Sequence, residues 1–144
     1  MHPNRLGKWR VESVECRVDA RSMKHQNLRD RTKRFALSVI HLCEGLPRDD
    51  TSRIIGRQLL RSGSSVGANY RAVCRARSKP DFISKLGVVL EEADESAFWI
   101  ELLLDAGKTA SDQASALLRE TKELVAIFTS SIKTARDNNG QTEE

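Results

Sequence analysis

The feature that most constrains this chain is a spacing. From about Leu28 to Asp137, apolar residues return at intervals of three and four in four successive blocks, and nowhere do they alternate. Intervals averaging 3.6 residues place side chains on one face of an α-helix, whereas a half-buried strand needs a period of two. With only 8 Gly and 3 Pro in 144 residues, the chain has few places to turn, and those few fall between the blocks. Four amphipathic helices joined by short connections pack as antiparallel neighbours. The expected fold is therefore all-α, an antiparallel up-down four-helix bundle over residues 27–137.

The first helix is expected from about Leu28 to Gly45, with Phe35, Val39, Leu42 and Leu46 as its seam and Ala36, Ile40 and Cys43 widening it. Gly45 in a left-handed cap and then Pro47 should end it. Asp50 or Thr51 is the expected cap of the second helix, which carries Ile54, Ile55, Leu59, Val66, Tyr70 and Val73 and is expected to reach Arg77. Ser78 caps the third, with Pro80 in its first turn. Its buried face reads Phe82, Leu86, Val89, Ala93, Ala97, Ile100 and Leu104, and Gly107 closes it. Ser111 or Asp112 should cap the fourth, whose seam is Leu117, Thr121, Leu124, Phe128 and Ile132. Residues 1–26 have no sustained period and read as a disordered basic leader. Met23 stands just before the pattern, so a shorter chain starting there is a hypothesis that mass spectrometry of the native N-terminus decides. Residues 138–144 read as a frayed polar tail.

Several functions are disfavoured by what the chain lacks. No apolar run approaches bilayer length, and the basic N-terminus has no apolar core of the kind a secretory signal needs. Cys16, Cys43 and Cys74 are odd in number and follow no metal-ligand spacing, which fits a reducing cytoplasm. Gly63-Ser64-Ser65-Val66-Gly67 matches the nucleophile-elbow pattern, but that turn needs a strand before it. Here Gln58-Leu59-Leu60-Arg61 continues a helix, and the histidines are His2, His25 and His41. The same glycines make no phosphate loop, because no Lys-Ser/Thr pair follows. Small residues four apart more often let two helix backbones approach. Glu91, Glu92, Asp94 and Glu95 cluster on the third helix, but bundle metal sites also use histidines, and helices two to four have none. No catalytic residue, metal or cofactor is expected.

Charge is uneven. Asn27–Lys79 carries a net +8 and Pro80–Glu144 a net −7. On the second helix, Arg53, Arg57, Arg61, Arg71 and Arg75 fall within an arc of about 80°, centred opposite the apolar face. Arg77 and Lys79 extend this positive region, and Arg29, Arg31, Lys33 and Arg34 are candidates to reinforce it. Guanidinium forks suit phosphate oxygens, so RNA or DNA is one expected partner. The plain alternative is a solvated face, or one paired with the acidic second half. Aromatic residues are only 5%, which leaves little surface for base stacking. On the third helix Phe98 and Leu102 lie opposite the core stripe, with Trp99 alongside, and suggest a contact with another subunit. Glu91 and Glu95 share that back face and are candidates to meet a neighbour's Arg71 or Arg75.

The run Gln58-Leu59-Leu60-Arg61-Ser62-Gly63-Ser64-Ser65-Val66-Gly67-Ala68-Asn69, followed by Arg77-Ser78-Lys79-Pro80-Asp81-Phe82, resembles the signature of one bacterial family. This is the four-helix-bundle family met as proteins encoded in intervening sequences of 23S rRNA genes, which also includes accessory variability proteins of diversity-generating retroelements. The resemblance spans about Leu28 to Arg136, with Gly67 where Pro is frequent and Val73 where Gly is frequent. It implies a homopentamer without catalysis and, in the retroelement branch, a basic surface that engages nucleic acid and a reverse transcriptase. It also sets Ser62, Ser65 and Asn69 at or near the packed face of helix two, where their angular positions flank the apolar arc. Two functions stay open: a nucleic-acid-associated accessory module, and a self-assembling scaffold with no nucleic-acid role.

Overall fold

The computed structural model describes residues 20–138, and these form four helices: α1 (Ala20–Glu44), α2 (Asp50–Val73), α3 (Lys79–Asp105) and α4 (Ser111–Asp137). No strand occurs among the described residues. Each helix packs extensively on the next in sequence, while α1 and α4 touch more sparingly, so the bundle is a four-helix ring with one thin wall. The buried seam is the periodic one: Phe35, Val39 and Leu42 of α1 meet Leu59, Val66 and Tyr70 of α2, Leu86, Val89 and Ile100 of α3, and Leu124 and Phe128 of α4. Tyr70 and Phe128 stack at a tilt, ring centroids 5.9 Å apart.

The ends of the helices depart from expectation by a few residues. α1 begins at Ala20, inside the segment read as a disordered leader. Residues 20–27 carry no apolar spacing, so periodicity could not find them. Residues 1–19 and the tail from 139 lie outside the described residues. Gly45 does not adopt a left-handed cap, since the only positive φ among the described residues belongs to Gly107. Instead the Gly45 and Leu46 amides donate to the Leu42 and Cys43 carbonyls three residues back, in tight 3₁₀-type turns. Asp49, one residue before the expected cap, accepts from the Ser52 amide at 2.8 Å. α2 stops at Val73 rather than Arg77, with Cys74 as its last half-helical residue. Ser78 caps α3 as expected, accepting from the Asp81 amide at 3.1 Å. Gly107, at φ +67°, ends α3 in a Schellman turn: the Lys108 amide donates to Leu103 and the Gly107 amide to Leu104. Ala110 precedes α4 without any side-chain cap, in place of Ser111 or Asp112.

Two apolar assignments also change. Ile54 faces solvent, 62% exposed, because the α2 seam centres on Ile55 and Leu59. Leu103, not Leu104, is the fully buried leucine at the end of α3.

Small residues decide how α1 and α2 cross. A Cβ on Gly63 would lie 2.8 Å from a Val39 methyl, and one on Gly67 would lie 3.2 Å from the Thr32 carbonyl oxygen. The Gly-x-x-x-Gly segment is thus helical and buried against α1, and its central serines serve the helix itself: Ser64 and Ser65 both donate to the Arg61 carbonyl. Gly63→Ala should destabilise the fold by about 1 kcal/mol, an overpacking cost of about 1–3 kcal/mol less about 1 kcal/mol of helix propensity. Combined with Val39→Ala, which opens space at the same point, it should cost at least about 1 kcal/mol less than the sum of the two single changes. Denaturant melts of the four chains measure this coupling, and simple additivity would place the close approach elsewhere.

Candidate nucleic-acid interface

The rotation of α2 about its axis follows from three sets of residues. Gly63 and Gly67 turn toward α1, and Ser62 turns toward α3. There its hydroxyl lies 2.8 Å from that of Ser96, both fully buried. The Leu59 carbonyl stands 3.2 Å from Ser62 Oγ and the Glu92 carbonyl 2.8 Å from Ser96 Oγ. Two hydroxyl protons serve these contacts, one running between the serines and the other to a carbonyl, so neither buried oxygen is orphaned. Ser65 and Asn69, further along α2, are half-buried. With two sides committed, the remaining side of α2 faces water, and it carries the arginines.

Those arginines do not act alike. Arg53 pairs with Asp50 one turn away, both exposed. Arg61 reaches across to α3, where it holds Glu95 and also lies 3.3 Å from Glu92. Trp99 donates its indole N–H to the same Glu95 carboxylate at 3.1 Å. The Arg61 hydrogen bond pulls the Glu95 carboxyl below its ordinary range, and Glu95 in turn raises Arg61. Arg57 and Arg71 are exposed and have no acidic partner among the described residues. Arg75 and Arg77 sit in the α2–α3 connection and Lys79 opens α3, because α2 ends before them. The Arg77 amide donates to Asp81 at 3.0 Å.

Within the chain Glu95 is paired with Arg61, while Glu91 is exposed on the back of α3. One sequence expectation is corrected. Arg31 does not reinforce the basic face. Its guanidinium clasps α4, with Nε 2.9 Å from Glu120 and a terminal nitrogen 2.6 Å from Glu123, across the thin α1–α4 wall. The charge asymmetry of the two halves is thus partly taken up between the helices, by Arg31 with Glu120 and Glu123 and by Arg61 with Glu92 and Glu95. Helical periodicity places a residue on a face but cannot say which neighbouring helix that face looks toward.

On the back of α3, Phe98 is 53% and Leu102 36% exposed, one turn apart. Phe98 meets the half-buried Trp99 edge to face, centroids 4.9 Å apart. No group of His, Cys, Asp and Glu among the described residues could hold a metal ion, and none of the described helices is long and apolar enough to cross a membrane.

The bundle and the faces of its helices can be compared with known families. Residues 24–130 match the model of the 23S rRNA-intervening sequence protein family. The chain belongs to that family. A crystal structure of a protein with unknown function from the S23 ribosomal protein family of Bacteroides thetaiotaomicron is 32% identical, with a TM-score of 0.69; the match covers 75% of this chain and 96% of that one. None of the curated proteins matches the chain. Neither the family description nor that of the solved structure names a catalysed reaction. For this member of the 23S rRNA-intervening sequence family, function has to be read from the surface of α2 and α3.

The Glu95 pair has a pH signature. Its carboxyl binds protons less readily when folded than when unfolded, so the stability it contributes is complete above about pH 5 and lost as pH falls through the lower folded value. In a Trp9→Phe background, Trp99 emission should shift in a step below about pH 4 as the carboxylate protonates. Glu95→Gln should remove the step. A shift that persists in that variant would assign it to another acid.

Proposed function

We propose that this protein is a non-enzymatic accessory module that binds the phosphate backbone of RNA or DNA through the exposed arginine face of α2. The observation that carries this reading is that Arg57 and Arg71 lie on one solvent-facing side of a rigid helix with no acidic partner among the described residues. Arg75, Arg77 and Lys79 continue the positive surface along the connection to α3. An arginine fork left unpaired beside others is suited to phosphate oxygens, and such binding is tolerant of sequence because it reads no base edge. Arg53 joins by giving up its exposed pair with Asp50, which costs little. Arg61 is held in reserve by Glu92 and Glu95. Membership in the 23S rRNA-intervening sequence family supports a nucleic-acid setting, and the likeness to retroelement accessory proteins makes a reverse transcriptase a candidate protein partner.

The exposed Phe98–Leu102 strip favours self-assembly alongside this role, as a homo-oligomer for which the family likeness suggests five copies. Burying a Phe or a Leu contributes roughly 1.5–3 kcal/mol each, so a closed ring would multiply that gain. A scaffold with no nucleic-acid role remains the second reading, favoured by the same strip.

Binding should appear at low salt and weaken steeply as salt rises, through release of condensed counterions. Arg57→Glu with Arg71→Glu should abolish most of it and flatten the log–log salt dependence by about two, while leaving both internal ion-pair networks intact. Glu92→Gln with Glu95→Gln should strengthen binding by releasing Arg61. Absence of wild-type binding at low salt, or equal binding by the double arginine variant, rejects the reading.

Light scattering coupled to size exclusion should give an oligomeric mass for the full chain. Phe98→Asp with Leu102→Asp should reduce that mass to a monomer; a monomeric wild type rejects self-assembly, and an unchanged variant moves the seam off α3.

A further inference from the structure

Beside the arginine face, where α1 turns into α2, the surface dips into an open groove of about 450 Å³. Its making is local. The α1–α2 connection folds back over Gly56, where a Cβ would meet Leu46 Cδ1 at 3.0 Å, and the Cys43 thiol donates to the Gly56 carbonyl at 3.4 Å. Leu46, Pro47 and Leu60 give the groove an apolar floor, and Arg48, Arg53 and Arg57 stand around it, with Glu44 as the single acid in its lining. Arg48 was not among the arginines that the α2 periodicity singled out, because it precedes the helix. Like Arg57, it has no acidic partner among the described residues.

We propose that this groove seats one unpaired base of a single-stranded nucleic acid, with the flanking phosphates on Arg48, Arg53 and Arg57. The inference rests on the backbone-binding reading and adds a strand preference to it. Three guanidiniums around an apolar floor complement a ligand that is anionic at its edges and flat and apolar in its middle. The volume falls within the range that accommodates small organic ligands and is ample for a nucleoside. Continuity with Arg57 makes that ligand part of the same bound strand rather than a separate small molecule. A convex helix face offers phosphate contacts to duplex and single strand alike. A concave apolar floor favours only a strand whose base faces are exposed, because duplex bases are stacked inward.

The test compares a short single-stranded RNA with the same sequence as a perfect duplex, at one low salt concentration, by fluorescence anisotropy. The full chain should bind the single strand about fivefold or more tightly than the duplex. Leu60→Asn, at an exposed position and neutral in charge, should remove that preference by weakening single-strand binding while leaving duplex binding unchanged; a thermal melt checks that it folds. Arg48→Ala should weaken the single strand more than the duplex. Leu37→Asn, equally exposed but on α1 and outside the groove, should keep the wild-type ratio. Equal affinity for the two probes in wild type, or an undiminished preference in Leu60→Asn, overturns the groove while leaving the arginine-face reading standing. No binding of either probe overturns both.

Discussion

The close crossing of α1 over α2 is the constraint on which the rest of the molecule depends. Val39 sits where a Gly63 side chain would be, and the Thr32 backbone passes within reach of Gly67. Any larger residue at these points would push the helices apart and let α2 roll. With the crossing fixed, Ser62 meets Ser96 on the other flank, and the two contacts together leave α2 one orientation. The arginine face is what remains. Its exposure results from packing on the opposite side, so the candidate function and the stability of the bundle rest on the same few small residues.

Buried polar groups in this bundle are few, and most are satisfied at short range. Thr32 donates to the Leu28 carbonyl and Thr121 to the Leu117 carbonyl, each one turn earlier on its own helix. Ser52 is held by the Asp49 cap. The Ser62–Ser96 pair, by contrast, spans two helices within the core. Such a contact contributes modest net stability but penalises any alternative register of α2 on α3, because sliding one helix would leave both hydroxyls buried without partners.

Electrostatics then divides the arginines into three kinds. Arg31 fastens α1 to α4 where apolar contact is thinnest. Arg61 straddles α2 and α3, held by two carboxylates and sharing one of them with Trp99. Arg48, Arg57 and Arg71 are left to the solvent, the first two beside a groove whose floor is apolar. A formal net charge of +4 conceals this division, since Glu92, Glu95, Glu120 and Glu123 of the acidic second half are taken up by just two arginines of the first.

The period of the apolar residues by itself determined the fold class, the number of helices and most of the core, because a 3.6-residue repeat admits one local geometry and short connections admit one kind of packing. It also placed Phe98 and Leu102 outside the core, since they lie opposite Phe82 and Val89 on the same wheel. Only the tertiary structure decided which arginines are free. Arg57 and Arg61 are one turn apart and indistinguishable by spacing, yet Arg61 looks across at Glu92 and Glu95 while Arg57 looks at water. Arg31 carries no sequence sign that Glu120, 89 residues away, will claim it. The groove likewise has no motif, because its arginines and its floor come from a helix end, a turn and a helix face. A helix wheel reports angle about one axis, and partnership depends on the angles and register of two helices at once, which packing alone supplies.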